Sequence, residues 1–136
     1  MSEKEINKEQ LQKEIDQELN STILAMAQDP SNADNYHTLA KLYAMDNKFD
    51  KVISVYESLL NLHPNDSQAL LNLGSIWFFE KEYKKALGYY QKAMDVDPEN
   101  YLVYFNLGNT YAEMKNFAKA LHFYNRAIDF NSRNPE

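Results

Sequence analysis

Three histidines, His37, His63 and His122, and one closely spaced acidic run, Asp95, Asp97 and Glu99, are the first candidates in this sequence for holding a metal ion. A transition-metal site needs its ligands gathered at one place. The three histidines fall on different predicted elements, so solvated imidazoles are expected. The acidic run imitates the opening of a calcium loop, but Asn100 stands where that loop needs glycine and Asn106 where it needs its closing glutamate. These carboxylates read as a solvated helix end. No nucleophile, base and orienting group assemble from the remaining residues, and no glycine-rich loop is present to cradle a phosphate. Neither catalysis nor a metal or other cofactor is expected.

Composition narrows the alternatives to binding. Fourteen basic residues against twenty acidic ones leave a net charge of -6. That balance argues against nucleic acid or an anionic membrane as partner, since both call for a basic footprint. A protein or peptide partner is left. With 136 residues, of which 44% are hydrophobic, the chain has the material for one packed domain. Cysteine is absent, which suits a reducing compartment. The start, MSEKEINKEQLQKEID, has acids and lysines where a secretion signal needs an apolar core, and no stretch reaches membrane-spanning length. A cytoplasmic location is expected.

The elements that carry these residues repeat. Gly74 recurs as Gly108 and, enlarged, as Ala40; Trp77 recurs as Tyr43 and Tyr111; Ala86 as Val52 and Ala120; Tyr90 as Tyr56 and Tyr124. The period is 34 residues, and Pro30, Pro64 and Pro98 keep the same beat. Residues 1–6 are expected to be disordered. Leu11, Ile15, Leu19, Thr22, Ala25 and Met26 then recur at helical spacing, which predicts one amphipathic helix within residues 7–32. Helix pairs are predicted over 34–45 and 49–62, 67–80 and 83–96, and 101–114 and 117–130, within repeats 33–66, 67–100 and 101–134. The prolines end the second helix of each pair, because proline cannot continue a helix and displaces the residue before it. A unit of this size cannot bury its apolar face alone, so the fold class is all-α, a solenoid of antiparallel helix pairs forming a single domain over 7–136.

The pattern Leu70, Leu73-Gly74, Trp77, Tyr83, Ala86, Tyr90, Ala93 and Pro98 resembles the tetratricopeptide repeat family. Tyr104, Leu107-Gly108, Tyr111, Phe117, Ala120, Tyr124 and Ala127 repeat it, with Ser132 in place of the proline. Tyr36, Leu39, Ala40, Tyr43, Phe49, Tyr56 and Pro64 form another copy, in which Val52 and Leu59 replace small residues. The larger pair is expected to hold the first repeat's helices further apart. The resemblance implies a right-handed solenoid of about seven helices. Its implied function is protein binding, as an adaptor or chaperone-like scaffold, on the concave side of the first helices. Carrying over the family's clamp for an acidic chaperone tail gives His37, Lys41, Asn72, Leu102 and Asn106. Leu102 and Asn106 replace cations there, so such a tail is not the expected ligand.

The first helix of the central repeat is apolar all the way round. Leu70, Leu73 and Trp77 are expected to face their own repeat, leaving Leu71, Ser75, Phe78 and Phe79 as a second stripe. With His37, Lys41 and Met45 before it and Leu102, Phe105 and Asn109 after it, this stripe is the expected groove for an apolar helical or extended segment. Leu121, Ile128 and Phe130 of the last helix are expected to form a second surface, through which the chain would self-associate, as a homodimer for instance, or meet further parts of a longer protein.

Overall fold

The computed structural model describes residues 1–133, and among these are seven α-helices and no strand. They are α1 (Glu3–Gln28), α2 (Ala33–Met45), α3 (Phe49–Leu62), α4 (Ser67–Phe79), α5 (Tyr83–Val96), α6 (Tyr101–Glu113) and α7 (Phe117–Arg133). The chain divides into two compact units, Met1–Pro64 and Asn65–Glu136. The division falls at the break between the first and second repeats.

The helix ends explain why the period is so regular. Asn32, Asp66 and Asn100, each 34 residues from the next, cap α2, α4 and α6 by accepting from the backbone N–H of Asp34, Ala69 and Leu102. Such caps satisfy donors that a helix start otherwise leaves unpaired. Asn47, Lys81 and Lys115, again 34 apart, all take positive φ, at 57°, 63° and 66°. Each turns the chain out of a first helix through a pair of backbone bonds, Lys81 N–H to the Phe78 carbonyl and Glu82 N–H to that of Trp77 in the central repeat. Glycine is the usual residue for this geometry, and none of the three positions has it.

In the first unit α2 packs against both α1 and α3. Leu39, Ala40 and Leu42 of α2 and Val52, Val55, Tyr56 and Leu59 of α3 are buried. The His63 imidazole, expected to be solvated, donates from Nε2 to the Ser31 carbonyl at 2.7 Å and ties the end of α3 to the α1–α2 turn. The Tyr36 hydroxyl donates to the Pro30 carbonyl at 3.0 Å, fixing the same turn from the other side. Far from being disordered at its start, α1 begins at Glu3, because Ser2 and Glu5 bond each other's backbone N–H in a capping box. It has 26 residues beside the 13 of α2. At the helical rise, about 20 Å of α1 therefore has no counterpart in α2. Ile15 and Thr22 are buried while everything up to Glu14 is exposed, Leu11 included, so the expected covering stripe starts at Ile15.

In the second unit α4 packs on α5, α5 on α6 and α6 on α7, with α4 also touching α6. Two glycines set the approach. A Cβ placed on Gly74 would stand 2.5 Å from Tyr90 Cε1, and one on Gly108 would stand 2.7 Å from Tyr124 Cδ1. Each tyrosine ring thus lies flat in the space that a side chain on the facing helix would fill. Tyr111 stacks on Phe123 at 5.5 Å and Tyr104 stacks on Phe130 at 5.0 Å, filling the α6–α7 contact with aromatic area. A lysine of the second helix lies over an aromatic of the first in both repeats of this unit, Lys85 at 4.2 Å from the Trp77 ring and Lys119 at 5.2 Å from Tyr111. Lys51 does the same over Tyr43 in the first unit. With Ser132 standing where proline ends the earlier copies, α7 runs on to Arg133.

Candidate partner-binding surface

On α4, Leu71, Ser75, Phe78 and Phe79 fall on one side, as their spacing requires, but their environments differ. Phe78 turns back to the start of α5 and meets Tyr83 edge-on at 5.6 Å. Phe79, the last residue of α4, is 80% exposed, the most open aromatic among the described residues, with its ring against that of Phe78. Adjacent residues on a helix point about 100° apart, which is why one ring can join the turn and the other cannot. Leu71 is half-buried, and the Ser75 hydroxyl lies 3.1 Å from that of Tyr90. Burial pushes the Tyr90 phenol above its ordinary value, and the Ser75 bond partly opposes this.

On α6, Leu102 and Phe105 are about half-exposed, and the Asn109 side-chain oxygen accepts from the Tyr124 hydroxyl at 2.5 Å. Ser75 and Asn109, equivalent places in successive repeats, therefore each hold a tyrosine of the facing helix. That role is not visible in the sequence, because periodicity assigns a residue to a face without saying which way its polar atoms turn. On α2, in the first unit, His37 is half-buried with its ring tilted against Tyr56 at 5.9 Å, while Lys41 and Met45 are exposed. Asn72 and Asn106 are part-buried on α4 and α6.

Of the three residues expected on the last helix, Leu121 and Ile128 are each 62% exposed and share a stripe with Phe117, at 64%. The repeat position of Phe117 reads as core; its spacing, four residues before Leu121 and eleven before Ile128, is the signal that places it on this stripe. Phe130 does not belong to this stripe. Its ring stacks on Tyr104, with Arg126 and Arg133 guanidinium groups 5.5 and 5.4 Å from its centroid. Nine residues after Leu121 and seven after Phe123, which stacks on Tyr111, it lies opposite the Leu121 side and on the inner side of α7, where the apolar count alone does not place it.

Between α6 and α7 lies an open cavity of about 460 Å³, lined by Tyr101, Leu102 and Phe105 on one side and by Tyr124, Ala127, Ile128 and Asn131 on the other. Leu102 and Phe105 come from the expected groove and Ile128 from the expected second surface, so within this unit the two are walls of one pocket. Its chemistry is apolar. The Tyr124 hydroxyl is already bonded to Asn109, and Asn131 is the remaining amide in the lining. The ring of Phe105 rests against that of Tyr124 at 5.9 Å, closing the floor.

Two family models, both described as tetratricopeptide repeat, match the chain, one over residues 66–132 and the other over residues 25–76. No curated protein sequence matches it. Several solved structures are similar. One described as "MamA MSR-1 C2" has 18% identity and a TM-score of 0.72, covering 88% of this chain and 68% of its own. MamA 41-end from Desulfovibrio magneticus RS-1 has 15% identity and a TM-score of 0.76, covering 90% of this chain and 70% of its own. A structure described as "Functional Characterization of Pseudomonas Aeruginosa pilF" has 24% identity and a TM-score of 0.78, covering 91% of this chain, which spans 57% of that one. At these identities the likeness is one of fold.

Proposed function

The chain belongs to the tetratricopeptide repeat family, and from that premise we propose that it is a binding module whose ligand is an apolar helical or extended segment of a partner protein. The role is adaptor or chaperone-like scaffold, binding and not catalysis, and a cytoplasmic setting, which the cysteine-free composition suits, is part of the same proposal. The ligand surface is the face of α4 and α6 that carries Leu71, Phe79, Leu102 and Phe105; in the first unit, His37, Lys41 and Met45 hold the repeat-equivalent places on α2. The observation that carries the reading is Phe79. An aromatic ring left 80% exposed at the C-terminal end of α4 contributes little to its own fold and offers a partner a large rigid anchor.

Anchors of this kind commonly carry about 2 kcal/mol or more of binding energy each, over tenfold in affinity. Phe79→Glu is therefore expected to abolish partner capture in pull-downs from the source cells while leaving helical content and melting temperature as in the parent. A variant that melts early would assign Phe79 to the core and sink the reading at this residue.

A second reading, self-assembly through α7, is supported by the open stripe Phe117, Leu121 and Ile128. Contiguous apolar surface of this kind marks interfaces. Sedimentation at two concentrations separates it from the first: only a self-assembling chain changes mass.

A further inference from the structure

The pocket between α6 and α7 has an internal counterpart in which the occupant is already seated. Thirty-four residues earlier, Leu71, Tyr90, Ala93 and Met94 stand on α4 and α5 where Phe105, Tyr124, Ala127 and Ile128 stand on α6 and α7. There the surface is covered, because α6 packs against both α5 and α4. Exposure records the difference. Tyr90 is 2% exposed and Leu71 and Met94 are part-buried, whereas Phe105 is 48% and Ile128 62% exposed.

The same unit shows what such a covering helix must carry. Tyr104, Gly108 and Tyr111 of α6 are taken up by α7, through Phe130, Tyr124 and Phe123. Val103 and Thr110, both at 0% exposure, lie on a different side of the helix, with the part-buried Asn106 between them. Since α6 packs on α5 and α4 as well as on α7, this is the side left for those two helices. The buried stripe is therefore a β-branched residue at the first and eighth places and an amide at the fourth.

We infer that the α6–α7 pocket is a seat for one amphipathic helix of a partner chain, whose buried stripe follows the pattern of Val103, Asn106 and Thr110. The inference rests on the reading that this chain captures protein segments, and it adds which conformation and which stripe the seat selects. Helix and not strand follows from the lining. An extended segment would press unpaired N–H and C=O groups against Leu102, Phe105, Ala127 and Ile128, with Asn131 as the amide left to meet them, whereas a helix satisfies its own backbone.

The probe is a fluorescently labelled synthetic peptide of residues 99–115 of this chain, the helix that already occupies such a seat, titrated with the full chain and followed by anisotropy. Saturable binding is expected. It is expected to weaken by about tenfold or more when the chain carries Ile128→Glu, or Leu102→Glu on the opposite wall, as is typical for loss of a buried anchor. A peptide with Val103→Asp and Thr110→Asp is expected not to bind. Both chain substitutions fall at exposed positions, and circular dichroism checks that each variant is folded; a folded variant of either wall suffices for the test. No saturable binding, or binding equal in the parent and in the folded wall variants, overturns the inference. Loss of peptide binding in Phe79→Glu with retention in Ile128→Glu overturns it too, while leaving the α4–α6 face standing as the ligand surface. A parent dimer that Ile128→Glu dissociates assigns the seat to a second copy and likewise overturns it.

Discussion

Replacing glycine by alanine at two places in the central repeat has opposite expected effects, and the structure supplies both signs. At Gly74 the new methyl would stand 2.5 and 2.6 Å from Tyr90 Cε1 and Cδ1, almost 1 Å short of ordinary contact. That ring is 2% exposed and its hydroxyl is held by Ser75, so it cannot swing aside. Overpacking of this kind costs about 1–3 kcal/mol, and a rigid ring puts Gly74→Ala toward the upper end. The better helix propensity of alanine returns about 1 kcal/mol, leaving a net loss of about 1–2 kcal/mol. At Gly88 an added Cβ meets nothing within 4 Å, so the propensity gain stands alone and Gly88→Ala is expected to stabilise by about 0.5–1 kcal/mol. Urea denaturation followed by circular dichroism reads both, and thermal midpoints should separate by several degrees, at about 3–5 °C per kcal/mol for a chain of this size. Alanine is accommodated in α2, where Ala40 holds the same place opposite α3, whose Val52 and Leu59 are larger than their counterparts. If both substitutions move the midpoint in the same direction, close approach of the Tyr90 ring is not what requires glycine at 74.

Tyr90 also gives a pH dependence. Its folded-state pKa is raised by burial above the ordinary value of 10.0, so its contribution is complete below that value and is lost as pH rises from there through the folded pKa. Tyr90→Phe is expected to flatten stability in that alkaline window, as read from denaturation midpoints; an unchanged slope would mean that the phenol ionises without hindrance. Lys115 stands at φ 66°, where a side chain costs roughly 1 kcal/mol relative to glycine. Lys115→Gly is expected to stabilise by up to about 1 kcal/mol, and Asn47→Gly by less, since asparagine tolerates that region; a destabilised Lys115→Gly in the same urea assay would refute the backbone account.

The repeat helices were legible in the sequence to within about a residue at almost every end, since the signals that set them are local: proline after α3 and α5, and a polar break after α2, α4 and α6. The exception at α7 has a local cause too, because Ser132 does not stop a helix and bonds the Ile128 carbonyl instead. At the surface, spacing gave the side of the helix but not the direction of each ring. Phe78 and Phe79 are indistinguishable by periodicity until Tyr83 is seen to take one of them. Phe130 was assigned outward by apolarity, although stacking on Tyr104 draws it in. The capping box at Ser2 and Glu5 was in plain view, yet the polar composition of the first residues outweighed it. Nothing in the sequence marks the cavity as one pocket, since its walls belong to two helices whose meeting is a tertiary fact.

The hydroxyl bonds from Tyr90 and Tyr124 have a bearing on selectivity. The Ser75 hydroxyl and the Asn109 amide oxygen, the polar atoms at the centre of the α4 and α6 faces, are engaged with the protein itself. On the proposed α4–α6 ligand face, a partner segment would then be met chiefly by shape and apolar volume. Such a surface discriminates poorly among leucine, methionine and phenylalanine of similar size, and its grip is little affected by ionic strength, because screening acts on charges and few are presented.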